Sequence, residues 1–325
     1  MQTALTLQEL YRPVEREMAE VRKAVAGLWH DALKLVHGSS IPEPPIGGKM
    51  LRPALCLLSA GAIGAANVAD YVPMATAMEL LHLAALAHDD VIDGADLRHG
   101  DASLNARWDN HTAVLGGDYL VARSIGLLSR YDSCGVIVNA IESVRMMAEG
   151  ELNHFGLAQN QYTEAACISL ARQKTASLFA VTCSTPSVHI SGTPMQNLND
   201  YGMNIGVAFQ LVDDLLDLSQ NRDALGKPSC GDLIEGKKTL PVIYMREAMD
   251  DAGVARIDAM KHAKLSDADR TWVAETLEST RARERVESIS REYIEEGRAA
   301  ISSLPASSYK DAMMGIAEFI LVRGN

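Results

Sequence analysis

The feature that most constrains this chain is its helical periodicity. Apolar residues recur three and four positions apart through 5–36, 73–93, 112–130, 135–155, 164–183, 198–219, 238–250, 266–297 and 308–322. That spacing lays an apolar stripe along an α-helix. Breakers separate these segments: 38–48 with its three prolines, 94–103, 132–135, 191–194 and 221–236. No alternating strand pattern of useful length, short repeat or low-complexity linker is visible. The pattern predicts one all-α domain over residues 1–325, a single large helical bundle of about ten helices. Composition agrees. Hydrophobic residues make up 47%, enough for a sizeable core, and aromatics only 5%. Ala, Leu and Met, which enter helices cheaply, are plentiful, whereas strands favour branched and aromatic residues.

Charge and cysteine usage exclude several classes. A net charge of -12 repels nucleic-acid backbones, so no nucleic-acid partner is expected. The five cysteines, Cys56, Cys134, Cys167, Cys183 and Cys230, are scattered and form no C-x-x-C pair. They fit reduced thiols in a cytoplasmic protein better than disulfides or a zinc site. The N-terminus is punctuated by Glu9, Arg12, Glu15, Arg16, Glu17 and Glu20, unlike a secretory signal. No uncharged apolar run reaches the roughly eighteen residues of a transmembrane helix.

Chemistry concentrates in two acidic motifs. His88-Asp89-Asp90-Val91-Ile92-Asp93 ends an apolar helix, and Gln210-Leu211-Val212-Asp213-Asp214-Leu215-Leu216-Asp217 repeats the D-D-x-x-D spacing at the end of another. Carboxylates four apart share a helix face and repel each other. Near a helix C-terminus they also oppose the macrodipole. A hard divalent cation that bridges carboxylates and substrate phosphate would offset both costs, and oxygen ligands suit magnesium.

Cations supply the other half. Lys49 and Arg52 lie in G-G-K-M-L-R-P, Arg98 and His99 follow the first acidic motif, and Lys174 precedes Thr175. Lys227 lies in L-G-K-P and Lys237 in E-G-K-K-T. His82 and His88 are compatible with core positions, but His82 shares a face with Asp89 seven residues on, which favours a functional role. Residues 231–238 read G-x-x-x-x-G-K-K but lack the Ser or Thr and the preceding strand of a P-loop. Neither H-E-x-x-H nor G-x-S-x-G occurs.

Taken together these residues resemble the trans-prenyl-diphosphate synthase (polyprenyl synthetase) family. The matching pieces run in family order from about residue 44 to Arg323: G-G-K-M-L-R-P at 47–53, H-D-D-V-I-D at 88–93, G-D-Y-L at 117–120, E-G-E-L at 149–152, K-T-A at 174–176, G-x-A-F-Q-L-V-D-D-L-L-D at 206–217, L-G-K-P at 225–228 and G-K-K-T-L-P at 236–241. The resemblance implies an isoprenoid-synthase bundle around a central cavity, normally a homodimer. It implies condensation of an allylic diphosphate with isopentenyl diphosphate, using two or three Mg2+ ions. By motif match, Asp89, Asp93 and Asp213 would ligate magnesium with Asp217 in support. Arg98, Lys174, Thr175, Gln210, Lys227 and Lys237 would hold the allylic diphosphate, with Lys174 and Lys227 assisting its departure. Lys49, Arg52, His82 and His99 would hold isopentenyl diphosphate.

Departures from the family pattern are His99, where a second arginine usually follows Arg98, Asp101, where a basic residue is common, and Thr185-Pro186, where Gly-Ala is common. The first two keep open a terpene cyclase or diphosphate lyase on the same scaffold, whereas Lys49, Arg52 and His82 point to elongation. Met78, Leu81 and Ala85 fall on the face of Asp89, with Ala84 beside it. In the family, bulky residues four or five positions before the first aspartate stop the growing chain. Ala85 and Ala84 therefore imply products longer than about fifteen carbons, with Leu81 or Met78 as the floor.

Overall fold

Thr6 opens the first helix, α1 (Leu7–Tyr11), with a reciprocal cap in which its hydroxyl accepts the Glu9 N–H and the Glu9 carboxylate accepts the Thr6 N–H. Pro13 then tightens the chain into a 3-10 turn, Arg12–Val14, before α2 (Glu15–His37). The computed structural model describes residues 6–37, 48–94, 97–98, 101–102, 109–155, 162–219 and 229–322. His99 and Lys227 lie outside the described residues, and of Arg98 and Asp101 only the backbone is described.

The chain continues through α3 (Leu51–Ala62), α4 (Val72–Ile92), α5 (Asn110–Leu128), α6 (Cys134–Phe155) and α7 (Glu164–Leu170). A π-helical stretch, Ala171–Ala176, leads into α8 (Ser177–Ser191). Then come α9 (Gln196–Leu218), α10 (Gly231–Glu235), α11 (Leu240–Ala248), α12 (Asp251–Asp258), α13 (Asp267–Ser279), α14 (Ala282–Ala300) and α15 (Ser308–Val322). Among the described residues the sheet content is one two-residue antiparallel ribbon, in which Leu97 pairs with Ala102 and Arg98 with Asp101. The all-α expectation holds.

Three local differences have physical causes. α3 was not among the expected helices, yet it forms and is buried on every side, from Leu51 through Ala60 without a break. Over its 12 residues Arg52 is the one charged side chain, so the polar side of the stripe rests on a single residue. The expected helix over 266–297 divides into α13 and α14 at Thr280 and Arg281. Arg281 has φ 57°, and the Thr280 hydroxyl donates back to the Thr276 carbonyl at 2.6 Å. Such back-bonding competes with the helix ladder. Pro186, by contrast, does not end α8. Its flanking hydroxyls bond into the same helix, Thr185 to the Val181 carbonyl and Ser187 to the Ser184 carbonyl, both at 2.6 Å.

The contacts group the chain into two compact units. The first comprises Met1–Arg145, Leu178–Gly202 and Arg298–Phe319. In it α4 packs chiefly against α5, and also against α2 and α3. Leu55, Leu58, Met74, Met78, Leu80, Leu120 and Phe179 fill its core. The buried Tyr201 hydroxyl donates to the Met313 carbonyl at 2.6 Å, tying α9 to α15. The second unit comprises Met146–Ser177, Met203–Gly297 and Ile320–Asn325. Its core joins Val207, Leu211 and Leu215 of α9 to Leu240, Ile243, Tyr244, Val273 and Val286. All five cysteines are free. Among the described residues no helix is long and apolar enough to cross a membrane.

Candidate active site

The first acidic motif closes α4. Asp93 N–H donates to the Asp89 carbonyl at 2.8 Å, so both carboxylates belong to one last turn. His82, Ala85, Asp89 and Asp93 form a half-buried stripe on this helix, while Met78, Leu81, Ala84 and Asp90 are buried. His88 serves packing. Its Nε2 lies 3.1 Å from the Val114 carbonyl and 3.5 Å from an Asp118 carboxylate oxygen on α5. Gly117 makes this possible, since a Cβ there would meet His88 Nε2 at 2.3 Å. The G-D-Y-L motif thus fixes the end of α4 against α5.

The glycine-rich cation motif sits in the same unit. Met50 adopts a left-handed conformation, φ 48° and ψ 43°, and turns the chain into α3. A side chain there costs roughly 1–2 kcal/mol, so surrounding contacts must hold the turn. Arg52 is 8% exposed, and its Nε is buried without a hydrogen-bond partner. Its guanidinium stacks 4.5 Å from the centroid of the Phe179 ring, and Lys49 Nζ lies 5.6 Å from that of Phe319. Burial pulls Arg52 down to about 10, which the Glu79 charge partly opposes. Burial lifts Glu79 up to about 7, against the pull of Arg52 and Arg22. A buried guanidinium with an idle donor carries a desolvation cost that an anion nearby would offset.

The second unit carries the other motif. Lys174 and Thr175 lie in the π-helical stretch, a distortion frequent at functional sites. Lys174 Nζ is 2.7 Å from Glu151 Oε2, a residue of the E-G-E-L motif. Thr175 donates to Gln210 Oε1 at 2.6 Å, and Gln210 Nε2 donates to Asp214 Oδ1 at 2.7 Å. Asp213 is half-buried, whereas Asp214 and Asp217 are buried. Burial raises Asp214 to about 8, the Gln210 bond lowers it, and the Asp213 and Asp217 charges raise it further. Asp217 has a second task, for its Oδ2 accepts the Asp232 N–H at 2.9 Å. Asp232 is itself raised well above the usual range by burial and by Asp217 and Asp214. Gly236, at φ 77°, ends α10 and turns the Lys237 N–H onto the Asp232 carbonyl at 2.8 Å. Lys237 Nζ lies 2.6 Å from Glu235.

Each unit therefore assembles part of the expected set. Lys49, Arg52, His82, Asp89 and Asp93 belong to the first, and Lys174, Thr175, Gln210, Asp213, Asp217 and Lys237 to the second. Glu79 and Asp232 were not among the expected site residues, and Glu151 entered only as part of the E-G-E-L motif. Asp232 had a signal, because it lies inside the rejected P-loop-like stretch beside Lys237. Among the described residues no three His, Cys, Asp or Glu side chains converge as a ready metal site. The crowded carboxylates around Asp214 still have the chemistry of a magnesium donor set: all oxygen and mutually repelling.

Comparison with known proteins identifies the family. The family model described as polyprenyl synthetase matches residues 43–276. The chain is 30% identical to octaprenyl diphosphate synthase of Haemophilus influenzae over 322 residues, covering 97% of each chain. It is 32% identical to the all-trans-nonaprenyl-diphosphate synthase (geranyl-diphosphate specific) of Rhodobacter capsulatus, covering 97% of this chain and 98% of that one. Its fold superposes on a polyprenyl synthase from Caulobacter crescentus, crystallised with calcium and isoprenyl diphosphate, at a TM-score of 0.88 and 28% identity over 100% of both chains. A helical fold, two intact aspartate motifs and a model match through most of the chain lead to one conclusion: the protein belongs to the polyprenyl synthetase family of prenyltransferases.

Proposed function

We propose that this protein condenses an allylic diphosphate with isopentenyl diphosphate, in a magnesium-dependent reaction that yields a longer trans-prenyl diphosphate and free diphosphate. Residues 1–325 act as one catalytic domain, and the family model supports this by running through segments of both units. The observation that carries elongation over cyclisation is Arg52. A cyclase has no use for an isopentenyl-diphosphate cation, yet here a buried guanidinium with an unpaired Nε stands three residues from Lys49.

Asp89, Asp93 and Asp213 hold the magnesium ions, two or three in number, with Asp217 in support. The bound metal supplies the positive charge that makes diphosphate a competent leaving group. Lys174, Lys227, Lys237, Arg98, Gln210 and Thr175 bind the allylic diphosphate and stabilise charge on its oxygens as the C–O bond breaks. The bonding pair leaves with diphosphate. Lys49, Arg52, His82 and His99 hold isopentenyl diphosphate so that its double bond attacks the allylic carbon. The proton next lost from the isopentenyl unit goes to the departed diphosphate, since no protein base suggests itself. An Ala-, Leu- and Met-rich surround excludes water from the cationic centre.

The small Ala84 and Ala85 support a product longer than about fifteen carbons, as does similarity to an octaprenyl and a nonaprenyl synthase. The exposed Val114, Leu115, Val138 and Ile141 on the consecutive helices α5 and α6 support a homodimer, because exposed apolar side chains gain from burial against a second copy. Five free thiols support a reducing, cytoplasmic compartment.

Incubation with magnesium and an allylic diphosphate, with and without isopentenyl diphosphate, tests the reading. Mass spectrometry should find an elongated prenyl diphosphate only when both substrates are present, and chelation should abolish it until magnesium is restored. Hydrocarbon release from the allylic substrate alone would establish the cyclase or lyase instead.

A further inference from the structure

Tyr11 stands outside every motif and outside the span of the family model. Its hydroxyl nevertheless donates to the Lys49 carbonyl at 2.7 Å, across 38 residues of chain. That carbonyl belongs to the peptide joining Lys49 to Met50, the residue held at positive φ. The Met50 N-cap of α3 has no side-chain hydrogen bond of its own. The Tyr11 bond therefore acts on the peptide that turns Lys49 relative to Arg52.

Tyr11 is suited to the task. It is 7% exposed and ends α1, between the Thr6–Glu9 cap and the Pro13 turn. Burial, with Glu79 reinforcing and Arg22 opposing, raises its phenol far above the ordinary range. The hydroxyl thus remains a donor at any working pH. Aromatic faces then meet both cations further out, Phe319 beneath Lys49 and Phe179 beneath Arg52.

We propose that Tyr11 is a positioning residue for isopentenyl diphosphate: through its hydrogen bond to the Lys49–Met50 peptide it sets the two cations Lys49 and Arg52 in register for one diphosphate. The N-terminal helix is on this view part of the substrate site. The inference rests on the assignment of Lys49 and Arg52 to isopentenyl diphosphate made above.

The test is Tyr11→Phe, which keeps the packed ring and removes only the hydroxyl. Loss of one buried hydrogen bond that acts on geometry should raise the KM for isopentenyl diphosphate roughly three- to tenfold. The KM for the allylic substrate and kcat should stay within about twofold, a split that general loosening of the fold would not give. Calorimetric titration with isopentenyl diphosphate, without turnover, should show the same loss. In a Lys49→Ala background the effect of Tyr11→Phe should shrink, since the two act as one unit. An unchanged isopentenyl KM in Tyr11→Phe, or an equal rise in both KM values with a lowered Tm, overturns the proposal. Lys49→Ala separates the two levels. If it raises the isopentenyl KM and Tyr11→Phe does not, the positioning role fails and the site stands. If Lys49→Ala itself has no effect, the site assignment fails.

Discussion

Lys174 and Glu151 form an ion pair at 2.7 Å, so a lysine assigned to diphosphate already has a carboxylate partner within the second unit. The pair is partly exposed, with side chains 26% and 19% accessible, so its own contribution to stability is small. Its use is directional, holding Lys174 at the π-helical turn.

From this follows a graded effect on the allylic substrate. Lys174→Ala removes a charge-assisted contact and should raise the allylic KM about ten- to a hundredfold. Glu151→Gln keeps an acceptor for Lys174 and should cost less than about threefold. Steady-state kinetics with isopentenyl diphosphate saturating measures both. Equal effects would mean that Glu151 does more than orient the lysine.

The aspartates of the second motif should separate by role. Asp213→Ala should lower turnover by several orders of magnitude without lowering Tm, because its loss relieves repulsion on the buried Asp214. Asp217→Ala should lower both, since the Asp232 N–H loses its acceptor, at a cost of about 1–3 kcal/mol. Asp217→Asn retains an acceptor oxygen and should recover much of the Tm. Thermal melts with magnesium and inorganic diphosphate should show ligand stabilisation in wild type and not in Asp89→Ala or Asp213→Ala.

Product length offers a cleaner contrast between neighbours. Ala85 is half-buried on the Asp89 face, and Ala85→Phe should shorten the product with little loss of stability. Ala84 is 1% exposed, so Ala84→Phe should shorten the product too but overpack the core by about 1–3 kcal/mol. Chromatography of dephosphorylated products and melting curves check the pair. A wild-type product of about fifteen carbons or fewer would refute the pocket reading built on these small residues.

Glu79 gives a pH dependence of stability. Burial raises its carboxyl to about 7, opposed by Arg52 on α3 and Arg22 on α2, with the Tyr11 phenol of α1 nearby. The folded state then binds the proton more tightly than the unfolded one. The stabilisation is full below the ordinary glutamate range and is lost as pH rises toward 7. The loss is on the order of 3 kcal/mol and is complete once pH has passed through about 7. Denaturant unfolding between acid and neutral pH should show this slope, and Glu79→Gln should flatten it. A slope unchanged in Glu79→Gln would assign the titration elsewhere.

Much of this enzyme follows from local pattern. Period-3.6 stripes, caps such as Thr6 and Asp109, and breakers such as Pro13 act within a turn or two, so helices and the spacing of Asp89 with Asp93 and Asp213 with Asp217 are written in neighbouring residues. Other features depend on residues distant in sequence. α3 is covered by its neighbours on all sides, which residues 51–62 do not reveal on their own. Asp217 acquires its bond to Asp232, Lys174 its partner Glu151, and Lys49 its hold from Tyr11 only when separate helices meet. The raised carboxyls of Glu79 and Asp214 arise in the same way, for burial and charge crowding are properties of a packed interior. The sequence by itself determined which groups could do the chemistry; tertiary packing decided how dry they are and what holds them in place, because desolvation and long-range hydrogen bonds exist only once the chain has folded.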